Sequence, residues 1–272
     1  MNSLFSLHDK VAVVTGALGL LGREHCDALA GAGAHIVVTD IDQAGCEAFA
    51  RDLSAEYHIT ALGCAADITD EKSLHDVRNT LLKQFGRINI LVNNAAINDT
   101  VEKRSDRADY SSFEFFPLQT WRQSLEVNVT GVFLCCRVFG SVMTENGEGS
   151  IINIASTYGM VAPDQTLYLR PDGTRMMFKS PAYSTTKGAV LALTKYLAAY
   201  WGSRGVRVNA LSPGGVENGQ EEFFIDNYSA RTPLHHMAHP NDYKGAIVFL
   251  AGDASRYMTG ANLVVDGGWT IW

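Results

Sequence analysis

The chain has 272 residues, 46% of them hydrophobic, and a formal net charge of -7 from 22 Lys and Arg against 29 Asp and Glu. That balance argues against non-specific nucleic-acid binding and against docking on anionic lipid, both of which need a basic surface. No apolar run approaches the ~20 residues that span a bilayer, and the start, Met1 to Lys10, lacks a signal-peptide pattern, so a cytoplasmic protein with no membrane contact is expected.

Lys10–Thr15 is a β-branched, apolar run of the kind that forms a buried parallel strand. Gly16-Ala-Leu-Gly19-Leu20-Leu21-Gly22 follows, and then residues of helical composition to Ala32. Strand, glycine-rich turn and helix in that order make a candidate phosphate site. Glycines let the backbone approach a pyrophosphate, and the free N–H groups of a helix start favour an anion. A second strand, Ala34–Thr39, ends at Asp40, about twenty residues past the glycines. A carboxylate there suits the adenosine ribose hydroxyls and would repel a 2′-phosphate, so NAD is expected over NADP. Asp40 and Asp42 both precede the next helix; one can cap it while the other binds ribose, and Asp40 is assigned to ribose, with Ile41 beside it.

Ile59–Ala66 is the third predicted strand. After it, Asp67-Ile68 stand at the carboxyl edge, where ligands sit in open α/β sheets, and Thr69 or Asp70 caps a helix reaching Phe85. Ile88–Val92 is the fourth strand, followed by Asn93-Asn94-Ala95-Ala96, whose small residues suggest a backbone pressed against something flat or a tight turn. Residues 98–117 are charge-dense and then aromatic, which predicts a flap. Leu118–Glu145 reads as a long helix in one or two parts. Asn128 inside it marks a kink, a polar task or a solvent-facing position.

Gly149–Ala155 is the fifth strand, ending at Ser156. A long connection, 157–181, leads to a helix from Ala182 to about Ser203, which opens with Tyr183-Ser-Thr-Thr-Lys187. Residues four apart share a helix face. The Lys187 ammonium is therefore expected to favour the Tyr183 phenolate and lower its pKa, making Tyr183 a proton carrier. Gly205–Leu211 is the sixth strand, before Ser212-Pro213-Gly214-Gly215-Val216. Residues 217–231 read as a partly helical lid, Pro240 opens another helix, and Ala261–Val265 is the last strand. Alternating strands and helices imply a parallel sheet covered on both faces. No linker or repeat interrupts 1–272, so one domain is expected. The five cysteines, at 26, 46, 64, 135 and 136, have no CxxC spacing and read as buried free thiols. His235, His236 and His239 lack an accompanying acidic motif, and no metal site is expected there.

Taken together, Thr15-Gly16…Gly22, Asp67, Asn93-Asn94-Ala95-Ala96, Asn128, Ser156, Tyr183-x-x-x-Lys187, Pro213-Gly214 and Val265-Asp-Gly-Gly268 resemble the single-domain short-chain dehydrogenases/reductases over nearly the whole length. The resemblance implies a doubly wound, Rossmann-like sheet of seven parallel strands. It implies Tyr183 as general acid/base, and Lys187 tuning it and holding the nicotinamide ribose. Ser156 would hydrogen-bond the reacting oxygen, and Asn128 would support a relay water. Gly16, Gly19, Leu20, Leu21 and Gly22 would lie at the pyrophosphate, Asp40, Ile41, Asp67, Ile68, Asn94, Ala95 and Ala96 along the adenosine side, and Pro213, Gly214 and Val216 along the nicotinamide side.

The chain departs from the family pattern in three places. Leu20 stands where the middle glycine of the usual motif falls, with Gly19 one residue earlier. The 157–181 connection is long, and its Arg170, Arg175 and Lys179 either meet an anionic group or solvate a loop. Asn218 stands about where a Thr often holds the cofactor carboxamide.

The glycine spacing and the long connection resemble members associated with surface-sugar biosynthesis. The expected reaction interconverts a secondary alcohol and a ketone on a polar small molecule, such as a sugar or nonulosonic-acid-like compound. A 3-oxoacyl thioester reductase and a non-enzymatic dinucleotide-binding regulator are the competing readings. The family implies a homotetramer or homodimer built on the two long helices and the C-terminal segment, where Trp269 and Trp272 either enter an interface or fold back on their own chain.

Overall fold

Alternation along each strand sends side chains to two different cores. In a computed structural model, which describes residues 3–98 and 111–272, β1 (Val11–Thr15) points Val11 and Val13 to one face and Ala12 and Val14 to the other. β2 (His35–Asp40), β3 (Ala61–Ala65), β4 (Ile90–Asn93), β5 (Gly149–Ile154), β6 (Val206–Pro213) and β7 (Asn262–Val265) complete a seven-stranded sheet. Every pairing is parallel, in the order β3-β2-β1-β4-β5-β6-β7. A strand buried on both faces needs apolar residues at successive positions, which is why these strands read as continuous apolar runs.

On one face pack α1 (Leu20–Gly31), α2 (Gln43–Tyr57) and α8 (Lys244–Ala251), through residues such as Leu29, Leu53 and Leu250. On the other pack α3 (Glu71–Phe85), α5 (Val132–Asn146) and α6 (Pro181–Trp201), through Leu74, Phe139 and Val190. The order reverses between β1 and β4, so the loops after these strands diverge and leave a crevice at the carboxyl edge. All five cysteines are free; Cys26, Cys46, Cys135 and Cys136 are buried and Cys64 is part-buried.

Several predicted boundaries shift by a residue or two, and one helix differs in kind. α4 (Leu118–Leu125) runs into a π-helical turn, Glu126–Gly131, before α5. The widened turn carries Asn128 inward, and its amide is engaged there by backbone and side chain. The whole stretch Leu118–Asn146 is long and apolar enough, by length and composition, to cross a bilayer, which corrects the expectation that no segment is. Its apolar character has another cause: 61% of its most apolar window is buried within the protein, against the sheet and neighbouring helices. Most of the flap predicted over 98–117 lies outside the described residues; the remainder forms a short 3-10 turn, Phe113–Phe115.

His25, in α1, is fully buried and neither ring nitrogen has a partner among the described residues. Burial pushes its pKa from 6.5 down to about 4. The unfolded chain therefore takes up a proton between those values that the folded chain refuses, so stability falls as pH drops through this window and is complete above it. The expected loss is about 3 kcal/mol at most. Urea midpoints at pH 7.5 and 4.5 check this: His25→Leu should flatten the difference seen in the wild type.

Candidate active site

A cavity of about 730 Å³ opens along the carboxyl edge of the sheet, within the usual range of roughly 300–1,000 Å³ for ligand sites. Gly16, Gly19, Leu20, Leu21, Asp40, Ile41, Asp67, Ile68, Asn94, Ala95 and Ala96 line one part of it, and Ser156, Tyr183, Lys187, Pro213, Gly214 and Val216 another. Of the residues assigned to catalysis or cofactor binding in the sequence, Gly22 and Asn128 stand behind the wall.

The turn after β1 explains the shifted glycines. Gly16 sits at φ +61, and Gly19 N donates to its carbonyl, closing the turn one residue early. Gly19 caps α1 without a side-chain hydrogen bond, which leaves the first N–H groups of the helix facing the cavity side of the turn. Leu20 is 41% exposed beside them. Gly22 lies beneath: a Cβ on it would fall 2.1 Å from the Gly16 carbonyl oxygen, so its own role is to let the helix pack on the turn.

Asp40 is positioned by accepting hydrogen bonds from Leu18 N (3.1 Å) and Ile41 N (2.8 Å). Asp42 stands at the N-cap of α2 with no side-chain cap bond. Asp67 accepts from Thr69 N and Oγ1, and Asp70 caps α3 through Lys72 N. Asn94 Nδ2 donates to the carbonyls of Thr15 and Gly16, which ties β4 to the glycine turn.

At the other end, β5 and α6 bring Ser156, Tyr183 and Lys187 together. Ser180 caps α6 by accepting from Ala182 N and Tyr183 N, and Pro181 at the helix start has no N–H to lose. Lys187 Nζ donates to the Ile154 carbonyl at 2.7 Å and lies 5.8 Å from the Tyr183 ring centroid. Lys179 Nζ lies 4.5 Å from the centroid of the same ring and donates to Asn98 Oδ1.

The expected lowering of the Tyr183 pKa is corrected here. Burial raises the phenol above its ordinary value, and the hydrogen bond with Ser156 only pulls the other way. Lys187 spends its ammonium on the Ile154 carbonyl, and burial pushes its own pKa down to about 8. The Asn128 amide is engaged by protein groups. Its Oδ1 accepts from Ile97 N, and Nδ2 donates to Ile97 O and to Thr186 Oγ1.

The long connection folds as two 3-10 turns, Thr157–Gly159 and Gln165–Tyr168, and a bridge between Leu169 and Arg175. It is stitched to the lid helix α7 (Glu222–Arg231) by Arg231–Asp164 and, just before α7, by Arg170–Glu221. Arg175 donates to Gln165 O and covers the Phe178 ring. Arg170 and Arg175 are thus occupied by protein groups, and of the three cations only Lys179 lines the cavity.

Sequence reasoning named the long connection and the 217–231 lid but not the side chains with which they line the cavity, Tyr158, Met176, Phe224 and Tyr228, nor Met237 just beyond them. Which side chains of these segments turn inward is decided by tertiary packing. Asn218 does line the cavity, as its place after Pro213-Gly214 suggested.

A family model described as short chain dehydrogenase matches residues 10–169, and one described as Enoyl-(Acyl carrier protein) reductase matches 171–270. The chain belongs to the short-chain dehydrogenase family. It is an oxidoreductase of a family that binds a nicotinamide dinucleotide. This short-chain dehydrogenase is 37% identical over 272 residues to a D-threitol dehydrogenase of Mycolicibacterium smegmatis, covering 98% of this chain and 95% of that one. It is 35% identical over 279 residues to a galactitol 2-dehydrogenase (L-tagatose-forming) of Cereibacter sphaeroides, covering 99% and 98%. Among solved structures, a gluconate 5-dehydrogenase of Burkholderia cenocepacia in complex with NADP and tartrate superposes with a TM-score of 0.87 at 29% identity, over 99% of this chain and 98% of that one.

Proposed function

We propose that this enzyme interconverts a secondary alcohol and a ketone on a polyol, sugar alcohol or related sugar compound, with NAD as cofactor. The observation that carries the reading is the convergence of Ser156, Tyr183 and Lys187 on a cavity whose other lining includes Asp40 and the free start of α1. The relatives named for threitol and galactitol support the substrate class.

A bound nicotinamide would supply the hydride acceptor; the protein supplies position and proton transfer. Ser156 holds the reacting oxygen and Tyr183 exchanges its proton. Lys187, anchored at Ile154 O, is placed to hold the nicotinamide ribose. Asn128 acts through what it grips, the backbone at Ile97 and the side chain of Thr186 on α6. Asp40, held by two backbone donors, receives the adenosine ribose, and its charge disfavours a 2′-phosphate. The residues 1–272 act as one domain, in the cytoplasm, as a homotetramer or homodimer, in carbohydrate conversion or biosynthesis.

The test is NADH appearance with threitol, galactitol and sugar acids, and NADPH appearance in parallel. Turnover of at least one polyol is expected, with kcat/KM for NAD about tenfold or more above that for NADP, a like-charge penalty of about 1.4 kcal/mol. Asp40→Asn should narrow the ratio. Preference for NADP would sink the assignment of Asp40, and no turnover across the panel would sink the substrate class.

A further inference from the structure

The turn after β6 is gripped from two sides by segments far from it in sequence. Gly214 N donates to Val265 O at the end of β7 (2.9 Å), and Gly215 N donates to the Tyr228 hydroxyl of α7 (2.6 Å). The Tyr228 ring approaches so closely that a Cβ on Gly215 would fall 2.5 Å from it. Tyr228 is itself held by the C-terminal segment: Trp269 stacks on it with ring centroids 4.1 Å apart and planes 9° from parallel. The segment that presents Trp269 is also ordered. The Asp266 carboxylate accepts from Gly268 N, Thr270 N and Thr270 Oγ1, and Leu234 N donates to Gly267 O.

Tyr228 and Trp269 belong to a third hydrophobic cluster, separate from the two that flank the sheet. It unites the 157–181 connection through Leu167 and Met177, the lid through Tyr228, and the C-terminal segment through Trp269. Only 4% of Tyr228 is exposed, yet it lines the cavity. A phenol here is more than filling. An apolar ring of the same shape would leave the Gly215 N–H without its partner, and a backbone donor left unpaired moves to find another.

We propose that Tyr228 and Trp269 form a latch through which the C-terminal segment and lid set the position of the Gly214–Val216 turn, making Tyr228 a positioning residue for the nicotinamide half of the cofactor. The latch rests on the reading of this turn as the nicotinamide side of the cavity. It acts on one half of the ligand only, because the glycine turn after β1, Asp40 and Asn94 are held by other contacts.

That asymmetry is what the experiment reads. Dissociation constants for NADH and for ADP-ribose, which lacks the nicotinamide, are measured by calorimetry on the full chain. The variants are Tyr228→Phe, Trp269→Ala and Trp269→Phe. Tyr228→Phe should weaken NADH about fivefold, the scale of one hydrogen bond, and leave ADP-ribose unchanged. Trp269→Ala should do the same, and Trp269→Phe, which keeps an aromatic face for stacking, should stay nearer the wild type. A merely structural role would lower the melting temperature of the free protein without moving the ratio of the two constants, and an unmoved ratio overturns the latch. If the wild type binds neither ligand, the reading of the cavity fails and the latch with it.

Discussion

Replacing Tyr183 by phenylalanine is expected to reduce turnover by about 10²–10⁴-fold, the range for loss of a positioned acid or base, while the dinucleotide still binds. The substitution removes one oxygen and keeps the ring that Lys179 and Lys187 overlie. Because burial raises the phenol above its ordinary value, Tyr183 is neutral in the resting protein, so the substitution removes no charge and should not unfold the chain. The pH profile gives a second reading. Alcohol oxidation needs the basic form of Tyr183, and a phenol raised above its ordinary value supplies that form only in the alkaline range. Oxidation by the wild type should therefore still be rising at about pH 9, whereas the residual rate of Tyr183→Phe should lack that rise. Stopped-flow NADH formation across pH measures both. Equal turnover by the two proteins would remove Tyr183 from the chemistry.

Gly22→Ala should be far more damaging than Gly19→Ala. At Gly22 the added carbon meets Gly16 O at 2.1 Å and Ala17 Cα at 2.8 Å, all backbone, so the turn or the helix must move. At Gly19 the nearest such atom is Gly16 O at 3.3 Å, and its φ of -73 is open to any residue. Overpacking of this kind costs about 1–3 kcal/mol or more. Because the displaced atoms form the proposed pyrophosphate turn, NADH affinity should fall by about 100-fold for Gly22→Ala and by less than about tenfold for Gly19→Ala. Calorimetric titration with NADH, paired with a thermal melt of each variant, distinguishes the two. Equal effects would show that the early glycine carries the turn as much as the later one.

The parts of this site that were legible in the sequence are those whose chemistry is local. A β-branched strand feeding a glycine turn and a capped helix announces itself within Lys10–Ala32, and Tyr183 and Lys187 share a helix face by spacing alone. Asp40 and Asp67 were legible because they end strands, and strand ends define the crevice. What spacing could not show was how burial divides the charges. The Lys187 ammonium turns to Ile154 O, and burial raises the Tyr183 phenol against the opposing pull of its hydrogen bond with Ser156. Nor could composition show that Asn128 sits on a π-helical turn, since that conformation depends on partners at Ile97 and Thr186. Arg170 looked available for a substrate anion until Glu221, fifty-one positions later, was folded against it. Tyr228 and Trp269 carried no periodic signal, because their contact joins two chain segments that meet only in the finished fold.

The buried cysteines give the enzyme an internal clock. Burial raises the thiol pKa of Cys26, Cys135 and Cys136 well above the ordinary value, Cys136 to about 12, and thiolate is the reactive form. While the chain is folded these sulfurs are silent towards alkylating reagents and mild oxidants. Each becomes reactive when its own side of the sheet opens: Cys26 lies in α1 on one face, and Cys135 and Cys136 lie in α5 on the opposite face. The pattern of alkylated positions would then record which layer of the molecule had peeled away first.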